Sequence, residues 1–333
     1  MQDGEWSLAA APVMTGTPRE PRARLNAPAC RPAIDTRWVA IGMLAFVAVW
    51  LLHLDHTSSV PPQDNLEQLT WSRSLEWGYY KHPPLPTWLL WLPLRWFGWS
   101  AWTVYLAGAA TTLIALAVYW RLLARLRSES YALVALMAAA CITYYNGRLH
   151  YYNHDVVLLL ASTVCPVLCW QAFAQRRRRW WSALGMAIGL GALAKYQIAV
   201  TVVCVLVFSL QQRAWRDAVH RQGLLMAGAV ALAVFAPHAM WLQSHDFAPI
   251  RHAVDSSLGA QFGAQGRALE SMHWLADQVF NRALPALLFV GAAGKTGQWA
   301  QGRAVGSSLP GWSWRVVMPQ AGASAACADR PAP

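Results

Sequence analysis

Charged side chains are sparse in this 333-residue chain, and those placed to do chemistry fall in three places. The segment DNLEQLTWSRSLEWGYYKHPPLPTWLLW at 64–91 carries Asp64, Glu67, Lys81 and His82. The segment GRLHYYNHD at 147–155 carries Arg148 and Asp155, and Lys195 stands alone in an otherwise uncharged run. Carboxylates can take a proton from an attacking group, and fixed cations can stabilise an anion as it forms. Asp64, Glu67, Asp155 and His82 are also of the types that hold a divalent metal, although no spacing among them requires one, so no metal or cofactor is assigned. A plainer role is open to the acids. Asp64 or Asn65 can cap a helix that runs to Trp77 and stops at Gly78, and Asp155 can cap the apolar run that follows it.

An apolar scaffold must position these groups. Charged residues make up 13% of the chain, about half the share of a soluble domain, and Trp occurs 20 times. Seven stretches hold no Asp, Glu, Lys or Arg: 39–54, 100–120, 130–146, 156–175, 180–194, 196–212 and 222–243. A helix needs about 20 apolar residues to cross a bilayer, and an eighth span is expected across 276–294. The fold class is therefore all-α: a polytopic integral membrane protein with about eight spans. A pair of water-soluble domains is excluded. The Trp-rich segment at 64–97 suits interfacial helices lying between headgroups and protein.

The net charge of +11 invites a nucleic-acid partner, but the basic residues sit where membrane topology puts them. Arg19, Arg22, Arg24, Arg31 and Arg37 precede the first span, and Arg121, Arg125 and Arg127 follow the second. Arg176 to Arg179 follow the fourth, Arg213, Arg216 and Arg221 the sixth, and Lys295 and Arg303 the eighth. Alternate connections are basic, which assigns them and the N-terminus to the cytoplasm and leaves no nucleic acid to bind. Residues 180–212 are broken only by Lys195. A hairpin of two helices keeps the Arg clusters at its two ends on one side, with Lys195 at the outer turn; one long helix would separate them. The outer loops are then 55–99 and 244–275, and chemistry is expected on the extracytoplasmic face of the inner membrane.

Residues 1–38, rich in Pro, Ala and Arg, are expected to form a disordered cytoplasmic tail, with the first span an uncleaved anchor. The membrane module covers 39–294, and 295–333 is a Gly/Ala/Ser/Pro-rich tail, also expected to be cytoplasmic and disordered. Cys141, Cys165, Cys169 and Cys204 lie within spans, so no disulfide framework is implied. Cys165 and Cys169 share a helix face, where small apolar packing is favoured over metal binding. The run GAAGKTG at 291–297 has Phe289 where a P-loop needs its first Gly, and no strand precedes it.

From its acidic start at Asp64 through GYYKHPPLPTWLLWLPLRWFG at 78–98, the first outer loop resembles that of glycosyltransferase family 39. That group contains the protein mannosyltransferases and the lipid A aminoarabinose transferase, within the GT-C superfamily. GRLHYYNHD stands where the family has an Arg and a second Asp, and GLGALAKYQ at 189–197 and PHAMWLQSHDF at 237–247 continue the resemblance over about 38–294. It implies a GT-C-like helical bundle in the cell envelope that moves a sugar from a polyprenyl-phosphate donor to a lipid, glycan or protein acceptor. By the same resemblance Asp64 is the catalytic base, Asp155 orients base or acceptor, and Glu67 supplies the second carboxylate. Arg148, Lys195, His82 and Lys81 would contact the donor phosphate. For Arg148 and Lys195, near membrane depth, pairing with Asp155 or Asp64 is the alternative. His245 and Asp246 resemble a family outer-loop pair and receive no role. The family opens its loop with an Asp-Glu pair where this chain has Asp64-Asn65, so Asn65→Glu should raise activity or leave it unchanged. Family members also run longer, which makes an inactive, truncated transferase one alternative. A transporter or flippase of lipid-linked molecules is another, although neither an internal repeat nor intramembrane carboxylates support it.

Overall fold

The computed structural model describes residues 35–57, 60–257 and 263–295, so the two expected tails lie almost wholly outside the described residues. Within these, all regular structure is helical. α1 (Thr36–Thr57) leads into two short helices, α2 (Gln63–Trp71) and α3 (Leu85–Phe97). Then follow α4 (Ala101–Leu126), α5 (Glu129–Ala140), a single turn α6 (Thr143–Asn146), α7 (His154–Gln175), α8 (Arg178–Ala194) and α9 (Ile198–Gln211). The series ends with α10 (Ala218–Ser244), α11 (Ala248–Ser257), α12 (Ala264–Ala276), a π-helical stretch Asp277–Ala283, and α13 (Leu284–Lys295).

Four helices, α1, α4, α7 and α10, are long and apolar enough to cross a membrane. Each matches an expected span. α5 and α9 are apolar but short. α5 stops at Cys141, whose N–H closes the helix on the carbonyls of Met137 to Ala139, so the expected span 130–146 is a helix plus one turn. The starts of the helices are fixed by side chains that accept otherwise orphaned backbone N–H groups. Ser100 accepts from Thr103, Ser128 from Tyr131, Asn153 from Asp155 and Val156, and Asp217 from Val219. Each such cap contributes about 1 kcal/mol.

The direction of each helix follows from what its ends touch. Val39, early in α1, packs with Leu116 and Trp120 late in α4 and Ala132 early in α5. Leu51, late in α1, packs with Tyr105 and Leu149. The run 180–212 breaks at Lys195, which is extended (φ −161°, ψ 139°). Beyond the break, Thr201 donates to Ser162 Oγ at 3.1 Å early in α7, while Phe208 packs against Phe173 late in α7, ring centroids 5.1 Å apart. α9 therefore runs alongside α7 and against α8, the hairpin that the charge pattern favours. Arg176 also pairs with Asp217 at 2.5 Å, so the Arg clusters after α7 and after α9 share one end of the bundle. At the opposite end lie α2, α3, the 147–155 segment and Lys195.

Two close approaches hold that end together. The carbonyl of Tyr151 lies where a β-carbon on Gly108 would stand, so the 147–153 segment rides directly on α4. Gly78 meets the indole of Trp241 in the same way, which seats the turn after α2 on α10. His238, fully buried, completes this dock. Its Nδ1–H donates to the Trp77 carbonyl at 2.6 Å, which leaves Nε2 to accept from the Tyr196 hydroxyl at 2.9 Å.

Two expectations about the outer loops need correction. The helix expected from Asp64 to Trp77 begins at Gln63 and ends at Trp71, with Pro62 at the N-cap and no side-chain cap bond. Ser72 ends it by donating its hydroxyl back to the Gln68 carbonyl at 2.7 Å, six residues before the Gly expected to stop it. The segment 244–275, read as loop, holds α11 and most of α12.

Candidate active site

Asn65 joins the first and second acidic segments. Fully buried, it donates through Nδ2 to the His150 carbonyl at 2.7 Å and accepts the Tyr152 N–H at 2.9 Å. Gln68, one turn on, is also buried and accepts from Thr87 at 3.0 Å, which ties α2 to α3. An amide is required at Asn65 because the bracket needs both a donor and an acceptor. The expectation for Asn65→Glu is therefore revised: a carboxylate cannot donate to His150 and would bury a charge. Glu at 65 should lower thermal stability in detergent by at least the about 1–3 kcal/mol of an orphaned buried carbonyl, a loss that a melting curve would register whatever the activity.

The amide of Asn153 has a similar double use. Its Oδ1 caps α7, and its Nδ2 donates to Asp64 Oδ2 at 2.8 Å. The cap position is thus filled by Asn153, and neither Asp64 nor Asp155 caps a helix. Asp64 keeps one oxygen without a hydrogen-bond partner among the described residues. Asp155, in the first turn of α7, accepts from Lys195 Nζ at 2.6 Å. Lys195 reaches it because α8 ends there. Asp64, Glu67, His82, Asp155 and Lys195 line one cavity together with Asn153 and His154. Its volume of about 30 Å³ is room for a water or two, so a sugar ring must sit at its mouth or displace its walls.

The other sequence candidates divide. Lys81 forms an ion pair with Glu67, so it holds that carboxylate on the cavity wall and does not itself line it. Arg148 is exposed, stacks over the Tyr151 ring at 5.5 Å and is not brought to the cavity. Among the described residues no three His, Cys, Asp or Glu side chains are grouped as metal ligands. The four metal-competent residues therefore share a wall without converging on one point.

His82 and His154 stack at 3.9 Å between ring centroids, with the edge of Trp71 against both, and Trp71 in turn lies flat on Tyr79. Burial, followed by the charge of Lys195, pushes the His82 pKa down from 6.5 to about 4. His82 is therefore neutral at pH 7, and a single N–H, not a charge, is what it can offer a phosphate. In the unfolded chain the same ring takes up a proton near pH 6.5. Between about 6.5 and 4 the unfolded state binds more protons, so stability is full above 6.5 and falls as the pH drops toward 4. His150, lowered by burial in the same direction, adds to the slope. Melting temperatures taken across that interval should fall, and His82→Asn should flatten the fall.

Three wall residues, Gln68, Asn153 and His154, were not singled out from the sequence. Asn153 was recoverable, since Asn directly before an apolar run marks a helix start. His154 was not: it is buried, its Nε2 lacks a partner among the described residues, and only the fold brings it against His82.

Residues 81–241 match the family described as dolichyl-phosphate-mannose-protein mannosyltransferase. Among characterised proteins, the chain is similar to two lipopolysaccharide core galacturonosyltransferases of Rhizobium johnstonii. RgtB is 26% identical over 65% of this chain and 44% of its own length, and RgtA 25% identical over 76% and 52%. The lipid A galacturonosyltransferase RgtD of the same organism is 27% identical over 60% of this chain and 42% of its own. The chain thus spans about half the length of the curated relatives it matches. Its fold is that of ArnT from Cupriavidus metallidurans bound to undecaprenyl phosphate, at a TM-score of 0.55 and 20% identity over 67% of this chain and 45% of that one. The matched segment and the three transferase relatives make this chain similar to glycosyltransferases of that family, and the likeness to ArnT is one of fold.

Proposed function

We propose that the chain transfers a sugar from a polyprenyl-phosphate carrier to an acceptor at the extracytoplasmic face of the inner membrane. The observation that carries this reading is the placement of Asp64 and the Asp155–Lys195 pair on one cavity, at the bundle end away from the Arg clusters. A basic end assigned to the cytoplasm puts that cavity outside, where a hydrophobic, anionic donor can enter from the bilayer. The acceptor oxygen attacks the anomeric carbon and forms the new glycosidic bond, and the bond from that carbon to the phosphate oxygen breaks. The acceptor's proton passes to the open oxygen of Asp64, and Lys195, oriented by Asp155, stabilises the charge left on the lipid phosphate. Asn153 fixes the Asp64 carboxylate, and Lys81 holds Glu67 on the same cavity. ArnT was captured with undecaprenyl phosphate, and the three Rhizobium relatives are named for galacturonosyl transfer to lipopolysaccharide core or lipid A. Lipid-bound glycans are therefore the first acceptors to try.

The test offers the purified full chain either polyprenyl-phosphate hexose, pentose and uronic acid donors or the corresponding nucleotide sugars, with lipid A and core oligosaccharide as acceptors. Transfer from the lipid donors alone is expected. Turnover of a nucleotide sugar in the absence of lipid would overturn the reading.

A further inference from the structure

Lys195 stands in a short turn that other helices grip in two places. α8 ends with the Lys195 N–H on the Gly191 carbonyl at 2.9 Å, and α9 begins with the Ile198 N–H on the Lys195 carbonyl at 3.1 Å. Ile198 fills the space where a β-carbon on Gly191 would stand, so the two helices close tightly around the turn. From it Lys195 reaches Asp155 on α7 at 2.6 Å, and the Tyr196 hydroxyl reaches His238 Nε2 on α10 at 2.9 Å. The two bonds are unequal. The side chains of Lys195 and Asp155 are 22% and 48% exposed, and an ion pair so open to water contributes little. His238 is 0% exposed. Its ring runs parallel to the Trp241 indole and edge-on to Phe235, with centroids 5.8 and 5.3 Å away, and its Nδ1–H is taken by the Trp77 carbonyl at 2.6 Å. A ring fixed in that way offers one lone pair in one direction, and the Tyr196 hydroxyl takes it up.

We propose that Tyr196 and His238 are positioning residues for the transfer step, a role that rests on Lys195 acting on the lipid phosphate. Through their bond α10 fixes the turn from which Lys195 addresses that phosphate. The same imidazole fixes the Trp77 carbonyl, in the segment that leads to His82, so one buried side chain sets two parts of the cavity wall relative to each other. A preorganised donor stabilises a developing anion only while its place is held, and buried supporting hydrogen bonds hold such groups to within about 0.5 Å. Neither Tyr196 nor His238 lines the cavity, so their effect passes through Lys195.

Binding of radiolabelled polyprenyl phosphate to the full chain in detergent, measured beside polyprenol of the same chain length, isolates the contribution of the phosphate. Wild type should prefer the phosphate, and Lys195→Met should lose that preference. Tyr196→Phe keeps the ring and removes one hydroxyl. It should weaken phosphate binding roughly tenfold, near the lower end for a hydrogen bond to a charged group, and leave polyprenol binding unchanged. His238→Asn should do the same, since its amide can still donate to the Trp77 carbonyl but is too short to reach Tyr196. Tyr196→Phe combined with Lys195→Met should bind the phosphate no more weakly than Lys195→Met alone, because a residue that acts through the lysine then has nothing to position. A merely structural tyrosine would add its own loss. Wild-type phosphate binding by Lys195→Met would overturn the role of the lysine, and the positioning role with it. Three results would overturn the positioning role alone, given a loss in Lys195→Met: wild-type phosphate binding by Tyr196→Phe and His238→Asn, an equal loss of polyprenol binding in those variants, or a further loss in the double variant.

Discussion

Asp64→Asn is expected to abolish transfer while leaving the protein folded and inserted. The carboxylate accepts one hydrogen bond, from Asn153, and an Asn at 64 presents a carbonyl oxygen that can accept the same bond. No helix cap is lost, because the first turn of α2 receives no side-chain cap bond. What the substitution removes is the capacity to take the acceptor's proton, and a positioned base contributes roughly 100- to 10,000-fold in rate. Asp64→Ala should be equally inactive but less stable, since it orphans Nδ2 of Asn153. Comparing the two variants by melting curve and by initial rate separates the role of the carboxylate in chemistry from its role in anchoring α7. Near wild-type transfer by Asp64→Asn would move the base to Asp155 or Glu67.

Lys195→Met should reduce transfer by roughly 100- to 1,000-fold, the scale seen when one preorganised donor to a developing anion is removed. Lys195 is also the partner of Asp155, at 2.6 Å, so a loss of activity could arise from an unpaired acid. The double variant Lys195→Met/Asp155→Asn decides between the two. If the lysine acts on the phosphate, removing the acid as well restores nothing. If it serves only to neutralise Asp155, the double variant regains most of the activity. Lys195→Arg, which keeps the charge with different reach, should retain part of the rate and raise KM for the lipid donor.

The sequence made the scaffold legible because lipid imposes a simple rule: charge is excluded over the length of a span. Four helices fall within a few residues of the expected stretches. The break at Lys195 followed from the same rule, since one helix through it would have split the Arg clusters between two sides. The resemblance also selected residues the fold brings together, with Asp64, Glu67, His82, Asp155 and Lys195 on one wall. What escaped is tertiary. Asn65 looked like a defect in an acidic pair, but its role lies in two backbone groups 85 and 87 residues away, which no local pattern reports. The end of α2 was misjudged because a serine hydroxyl closes the helix before the glycine that local rules select. The charge state of His82 was not legible because composition says nothing about burial, and burial is the larger cause of its lowered pKa. Arg148 was favoured for its depth and charge, yet an aromatic face takes the guanidinium instead.

The most direct measurement follows phosphorus during turnover. The full chain, in detergent with a polyprenyl-phosphate sugar and a lipid A acceptor, is monitored by phosphorus-31 NMR, in which the sugar phosphodiester and the released lipid phosphomonoester give separate signals. Wild type should produce one phosphomonoester for each sugar found on the acceptor, and Asp64→Asn should produce neither. Phosphomonoester released at the wild-type rate by Asp64→Asn, or sugar transferred with no phosphomonoester appearing, would contradict the account.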